Sequence, residues 1–424
     1  MRIAYLTCVY PPYPGGIGMA AAGMAKEMSK RGHEVHVFTP QYSTPTLSAV
    51  HRVAHHSVLC NYLKPWIKYG NSAFIPQLIW KLKDVDVIHL LYPFFGAAEL
   101  LPILRRRSKA KIIVHHTMDA VAQGWLGVFF LLYNKTLMPY IFKQAHTILT
   151  LSEDYFRECD LTDVYANFPD APPIEFVPNG VDTGLFRPLF DYKAPESPKS
   201  PESYRTIRKI RINSDIREVP TIVFASGLDH AHYFKGVHVL LMAMKMLKDR
   251  GVKCRCQIIG DGNMRAEYEK HAQELGLMRV IHNTECSDDQ HSVLCMDEHA
   301  FVEFLGLIPH EQLPAYYQNA TVAVVPSTAR VECFSIVAAE AQACGLPVIV
   351  SDFPGVRVTI EHNQTGYVVR PGDPEDLANR LQELFENPQQ ASTMGAKGYQ
   401  RANELYSWGK IGDKLEKIYE SLHN

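Results

Sequence analysis

Two glutamates stand eight positions apart within Pro326–Gly345. Glu332 lies in a loop after the apolar run Thr321–Pro326, and Glu340 lies in a short helical pattern. Ser335 can cap that helix at its start, and Gly345 sits where it should end. Eight helical positions span roughly 12 Å, and an extended loop spans more. Carboxylates that act on one glycosidic bond sit about 5–9.5 Å apart. The spacing therefore argues against an acid/base pair and suits the two ends of a long ligand. Between the glutamates, the free N–H groups after Ser335 form an anion site. Hydroxyl, anion, hydroxyl is the order of groups in a sugar nucleotide. A loop glutamate and a helix glutamate with no shared task would read the same way.

Other stretches carry comparable chemistry. Tyr10–Gly18 (YPPYPGGIG) follows the first strand-like run. Its Gly15, Gly16 and Gly18 allow close backbone approach to a ligand and open the next helix at an anion-accepting end. The pattern is not GxGxxG, so the dinucleotide fingerprint is absent. His115-His116-Thr-Met-Asp119 ends another run, which predicts His116 and Asp119 at the ligand-binding edge and out of the core. A neutral imidazole there could bond a sugar hydroxyl, with Asp119 orienting it or accepting from an acceptor hydroxyl. In Ser226–Gly236 (SGLDHAHYFKG), Lys235 suits a diphosphate as a point charge beside helix N–H groups, and Asp229 is placed to orient it. Gly260-Asp261-Gly262 and Gly306-Leu307-Ile308-Pro309 are loops whose backbone can pair with a nucleobase. Each stretch, taken alone, also reads as a cap, a turn or a solvated loop.

Two further features concern metals and membranes. Cys286-x4-His291-x3-Cys295-x3-His299 lies in an apparent insertion, Asn283–His299. Thiol and imidazole are the usual zinc ligands, but the spacing matches no common site, so a surface excursion is the better reading. Cys254 and Cys256 fall on one face of a strand, in the core. Gly124–Tyr133 (GWLGVFFLLY) is too short to span a bilayer. With Lys135 and the upstream Lys64-Pro-Trp-Ile-Lys68 it could touch a membrane surface, but a buried helix is the default.

These residues need elements to hold them. Short apolar runs alternate with helical stretches in both halves: Ile3–Cys8, Glu34–Thr39, Val85–Tyr92, Lys111–His116, Thr147–Ser152 and Glu175–Pro178, then Thr221–Ser226, Cys254–Ile259, Val302–Leu305, Thr321–Val325, Pro347–Ser351 and Tyr367–Val369. Such runs suit parallel strands covered on both faces. The helical stretches include Gly18–Arg31, Val237–Arg250, Asn263–Leu275 and a final amphipathic Ile411–Leu422. The segment Ala194–Pro201 is rich in Pro and Ser, and Arg205–Arg217 is basic, so 187–218 reads as a linker with a surface excursion. The expected division is 1–186, joined by the crossing helix at about 406–424, then the linker, then 219–405. Ligands of such sheets bind beyond the carboxyl ends of the strands, here in the cleft between the halves.

Composition is that of an ordinary globular protein, with 46% hydrophobic and 21% charged residues over 424 positions. A net charge of −2 provides no general attraction to nucleic acid or acidic lipid. Met1 runs straight into the first strand, so no signal peptide is expected. Nine scattered cysteines point to reduced thiols in a cytoplasmic protein.

Together these residues resemble the retaining glycosyltransferase family 4, of the GT-B fold. The resemblance rests on ordered motifs: PGGIG near the start, His116 to Asp119, Val177-Pro-Asn-Gly-Val-Asp182 with Phe186 and Pro188, Lys235-Gly236, Ile259–Gly262, Phe304–Gly306, and Pro326-Ser327 leading to Glu332 and Glu340. It implies an α/β chain of two Rossmann-like domains facing across a cleft, with a C-terminal helix crossing back to the first. It implies transfer of a sugar from a UDP- or GDP-type donor to a carbohydrate or lipid-linked acceptor. No cofactor or metal is implied, nor any nucleic-acid partner. The product would be polysaccharide, lipopolysaccharide or glycolipid, and the enzyme would lie in the cytoplasm or against the inner membrane face. Catalytic roles fall to His116, Glu332 and Lys235. By resemblance Glu332 meets the donor sugar's hydroxyls, with Phe334, Ser335 and Ile336 offering backbone groups. Glu340 binds the ribose, Lys235 and Gly16 the diphosphate, and His116 the transferred sugar. Asp119, Gly227, Asp229, Gly260, Asp261, Leu307 and Ile308 complete the donor site. The acceptor would bind mainly in the first domain. One departure stands out: where the family usually has an arginine after the Gly227 strand end, this chain reads Gly-Leu-Asp-His-Ala-His, so His230, His232 or a residue elsewhere takes the second cationic role, or Lys235 acts alone. A GT-B nucleotide-sugar epimerase and a non-catalytic sugar-nucleotide-binding protein are the alternatives.

Overall fold

The computed structural model describes residues 1–13, 15–41, 58–70, 72–120, 124–168, 170–189, 219–278 and 301–423. The Ala194–Pro201 and Arg205–Arg217 segments and the Cys286–His299 pattern lie outside the described residues. The first half contains β1 (Arg2–Leu6), β2 (Glu34–Pro40) and β3 (Val58–Leu63). A short hairpin follows, β4 (Ile67–Tyr69) and β5 (Ser72–Phe74), then β6 (Val87–Tyr92), β7 (Lys111–His116), β8 (Thr147–Thr150) and β9 (Ile174–Phe176). Seven of these strands form one parallel sheet, in the order β3-β2-β1-β6-β7-β8-β9. The second half contributes β10 (Thr221–Ala225), β11 (Arg255–Ile259), β12 (Phe301–Gly306), β13 (Val322–Val325), β14 (Val348–Ser351) and β15 (Gly366–Val369), ordered β12-β11-β10-β13-β14-β15. All the expected strands are present, with ends displaced by one or two residues. The strands β3 to β5 were not expected, because VLCNYL mixes polar Asn61 into its apolar run and the hairpin strands have three residues each.

Both sheets reverse their strand order once, between β1 and β6 and between β10 and β13. Such switch points leave a crevice at the carboxyl ends of the strands. The loops after β1 and β10 open there, which places the glycine turn and the Lys235 loop at equivalent positions of the two halves. Six helices carry or adjoin the candidate residues: α1 (Gly16–Lys30) after β1, α2 (Gly124–Phe142) after β7, α3 (Asp160–Ala166), α4 (Val237–Asp249) after β10, α5 (Arg265–Glu274) after β11, and α6 (Ile336–Ala343) after β13.

The chain then returns to the first sheet. A last helix, α7 (Trp408–Ser421), packs along α1. Arg31 bonds Glu416 and Asp413, each at 2.9 Å, and His33 bonds Glu416 at 2.9 Å. Below them, the Tyr419 hydroxyl lies 2.9 Å from that of Tyr5 and 2.7 Å from His89 Nδ1, in the buried core. The Trp408 ring needs room at two places. A Cβ at Gly23 would stand 1.9 Å from it and one at Gly180 2.4 Å, so glycine is required at both. Val181 beside Gly180 donates to the Tyr406 carbonyl at 2.6 Å, which ties the NGVD segment to the returning chain.

Candidate active site

Glu332 is almost sealed from solvent, and its environment explains how a carboxylate is tolerated there. Lys235 Nζ donates to Oε1 at 2.6 Å, and the Ser327 hydroxyl donates to Oε2. An unpaired buried charge would cost several kcal/mol, so this cation and hydroxyl make the position possible. Gly236 lets the two loops meet. Its φ is +77°, and a Cβ would stand 1.9 Å from the Pro326 carbonyl oxygen. Thr328 N–H donates to the Phe234 carbonyl at 2.7 Å and closes the same junction.

Glu340 is equally enclosed, on α6, and is bonded by His310 Nε2 at 2.7 Å. Burial pushes the Glu340 carboxyl upward, and the His310 bond offsets part of that. The same bond raises His310. Between the glutamates, Ser335 caps α6 by accepting from the Ala338 N–H at 3.2 Å. Gly16 of the first half faces this helix start, where a Cβ would lie 3.9 Å from Ile336 Cδ1. The structure thus brings Gly16, Lys235, Glu332, Ser335 and Ile336 together across the cleft.

Other expected residues sit differently. His116 ends β7, but its ring is wholly buried and not at an open edge as expected. It stacks between Tyr155 and Tyr92, with centroids 5.7 and 5.8 Å away, against Phe142. The aromatic residues at its sides come from distant stretches, which is why sequence position alone suggested exposure. Its Nε2 lies 3.3 Å from Asp119 Oδ1, and neither ring nitrogen has a well-aligned hydrogen bond. Burial would lower the ring's pKa, but Asp119 and Cys159 outweigh it and hold His116 up at about 9. The donor atoms of His116, Asp119 and Cys159 lie within 4.8 Å of one another, the one such group among the described residues.

Asp229 does not orient Lys235. Its carboxylate accepts from the Asn263 N–H at 3.0 Å and lies 3.7 Å from His232, because the loops after β10 and β11 fold onto each other. Glu332 orients the lysine instead. Gly260 and Gly262 permit that loop contact, since a Cβ at Gly260 would meet the Ser226 carbonyl at 1.8 Å. Asp261 offers its carbonyl to Leu228 N–H at 2.9 Å. His232 lies against Gly227, and burial and then nearby Lys235 lower its pKa, which disfavours the second cationic role there. Leu307 is 79% exposed, and Ile308 is half-buried beside it. Arg265 reaches this loop, donating to the Phe304 carbonyl at 3.2 Å while Glu269 holds it at 2.7 Å. Phe334 is buried, edge-on to Tyr406.

His310 carries no signal in the sequence, and Ser327 is marked only by the Pro326-Ser327 motif, with no role attached to it. A hydroxyl beside Pro326 and a histidine after Pro309 are unremarkable until folding sets them against the two glutamates. The contacts that join the halves were also unforeseen. Arg357 donates to Asp154 at 2.7 Å, as does the Gly355 N–H at 3.0 Å. Arg330 pairs with Glu158. Tyr155 touches both His116 and Gly355, where a Cβ would also press on the Cys333 carbonyl. His116 is thereby linked to the Glu332 loop.

Residues 14–185 match the family described as Glycosyltransferase Family 4, and residues 219–387 match Glycosyl transferases group 1. The chain belongs to glycosyltransferase family 4. The enzyme is 26% identical to the GDP-mannose-dependent alpha-(1-6)-phosphatidylinositol monomannoside mannosyltransferase of Mycolicibacterium smegmatis, over 96% of each chain. It is 28% identical to the D-inositol 3-phosphate glycosyltransferase of Corynebacterium aurimucosum, over 99% of this chain and 96% of that one. Among solved structures, sucrose-phosphate synthase from Thermosynechococcus elongatus superposes with a TM-score of 0.71 at 22% identity, covering 100% of this chain and 99% of that one, and shares the GT-B fold. No helix among the described residues is long and apolar enough to cross a membrane.

Proposed function

We propose that this glycosyltransferase is a retaining, metal-independent hexosyltransferase. It moves a sugar from a nucleoside-diphosphate sugar to a hydroxyl of a polysaccharide, lipopolysaccharide or glycolipid acceptor, peripherally at the inner membrane face. The observation that carries the reading is the Lys235–Glu332–Ser327 cluster beside the open start of α6. A cation, a hydroxyl-accepting carboxylate and free N–H groups converge there, opposite Gly16. Residues 1–186 with 406–424 serve the acceptor side, and 219–405 hold the donor.

In this reading Glu340 takes the ribose hydroxyls and Glu332 the sugar hydroxyls. Lys235, Gly16 and the N–H groups from Phe334 to Ile336 meet the diphosphate as charge develops on it, lowering the barrier. Asp229, Gly227, Gly260, Asp261, Leu307 and Ile308 frame the donor, with backbone groups facing the base. Asp119 faces the transferred sugar from the other half, and the buried His116, 3.3 Å behind it, positions that carboxylate without touching the sugar. The leaving phosphate accepts the acceptor's proton, so no separate base is needed and attack from the same face retains configuration. Closure of the halves excludes water.

The relatives' names make GDP-mannose the first donor to test. Nucleotide sugars are screened by calorimetry, nucleotide release by mass spectrometry, and product anomers by NMR, with and without EDTA. Wild type is expected to bind and turn over one donor, with EDTA having no effect, while Glu332→Ala and Lys235→Ala fail. Binding by both variants at wild-type strength would defeat the reading, and loss of activity in EDTA would defeat metal independence. Isomerisation of the donor without an acceptor would favour the epimerase.

A further inference from the structure

The first half carries an apolar surface that its own fold does not cover. In place of the expected buried helix, α2 exposes Trp125 (77%), Val128, Phe129 and Leu132 on its outer face. The hairpin lies on the same surface. Phe95 packs on Phe130 at 5.3 Å and Tyr133 at 4.9 Å, and the Tyr69 hydroxyl stands 2.4 Å from where a Gly96 Cβ would be. Trp66 and Ile67 project from that hairpin, 69% and 61% exposed. Residues 58–70 and 124–143 carry Lys64, Lys68, Lys135 and Lys143 and no Asp or Glu. Apolar side chains rimmed by cations match an anionic lipid surface.

A cleft of 730 Å³ opens between α2 and α3 at the edge of this surface. Phe130, Leu131 and Val164 form its apolar wall, and Asn134, Asp160 and Asp163 its polar one. The polar wall leads to the active site. Asn134 donates to the Asp160 carboxylate at 2.6 Å, the Asp160 N–H donates to Asp119 at 3.2 Å, and Asp119 lies 3.3 Å from His116. Carboxylates and amides accept from and donate to hydroxyls, while the other wall suits hydrocarbon.

We propose that this cleft is the acceptor subsite, and that it takes a hydroxyl-rich headgroup whose hydrocarbon chain leaves over α2 into an anionic lipid surface. The inference rests on the transferase reading and names its acceptor class. The test uses the full chain with monomeric octyl glucoside and free glucose as probes, and with phosphatidylcholine vesicles with or without phosphatidylglycerol. Octyl glucoside should bind at least about tenfold tighter than glucose, because two buried methylenes are worth about that factor. Leu131→Asp and Val164→Trp should each remove that advantage while leaving nucleotide-sugar binding intact. Trp125→Ser with Phe129→Ser, both on the exposed face, should abolish flotation with phosphatidylglycerol vesicles. Equal binding of glucose and octyl glucoside, or unchanged binding in both cleft variants, overturns the proposal. If the wild type binds octyl glucoside as described but binds no nucleotide sugar, it is the transferase reading that fails.

Discussion

Replacing Lys235 by methionine separates the lysine's structural work from its catalytic work. The Glu332 side chain is 5% exposed and has two partners, Lys235 and Ser327. Removing one partner of a buried ion pair costs about 3–5 kcal/mol. The Lys235 side chain is 22% exposed, so water reaches its place in the variant and the loss falls to about 2–3 kcal/mol. Glu332→Gln should cost less, since an amide can still bond both Lys235 and Ser327. In the double variant no charge is left stranded, so the two losses should not add, and the coupling should come to about 2 kcal/mol. Urea unfolding of the four proteins measures this. Donor use reports the second role. One charged hydrogen bond to the diphosphate is worth about 1.5–3 kcal/mol, or roughly 10- to 150-fold in kcat/KM. Nucleotide release at limiting donor concentration reads that ratio. If Lys235→Met unfolds at the wild-type urea concentration and keeps kcat/KM within about twofold, the lysine neither supports Glu332 nor meets the diphosphate, and both roles are refuted.

Three further perturbations test other parts of the same structure. His116 is held at about 9 against an ordinary 6.5, so its contribution to stability is complete below pH 6.5 and is lost as pH rises through 9. Asp119→Asn should remove part of an effect of at most about 3 kcal/mol, flattening the melting temperature between those values, and a slope equal to wild type would contradict the pairing. His310 is raised by its bond to Glu340, so that contribution likewise weakens above pH 6.5. His310→Gln should raise the donor KM more than it lowers kcat and make KM less pH-dependent, whereas a pure kcat loss would refute a ribose-side role. Gly236→Ala combines a positive φ with a Cβ 1.9 Å from a carbonyl oxygen. It should destabilise by about 1–3 kcal/mol or more in thermal unfolding, and an unchanged melting temperature would show that the Lys235 loop is free to move.

The alternation of apolar runs was sufficient to reveal two parallel sheets, because strands buried on both faces leave an uninterrupted signature in the chain. The short hairpin at 67–74 leaves no mark in the sequence, because three-residue strands carry no periodicity. The apolar composition of α2 predicts burial, but composition does not reveal whether anything packs against a helix. Nearness in sequence pairs Asp229 with Lys235, yet its carboxylate is engaged by the Asn263 N–H and by His232.

By itself the sequence pointed to the candidate chemistry: two carboxylates eight positions apart, a lysine before a glycine, and glycine turns at strand ends. Local rules of spacing, capping and backbone freedom are enough for that. Only the tertiary structure decided which groups meet. It set Lys235 and Ser327 on Glu332 and His310 on Glu340, buried His116 among aromatic side chains, and laid Gly16 over the start of α6. Those pairings join residues up to several hundred positions apart. They depend on how two sheets and a returning helix pack, and no local pattern in the chain encodes that.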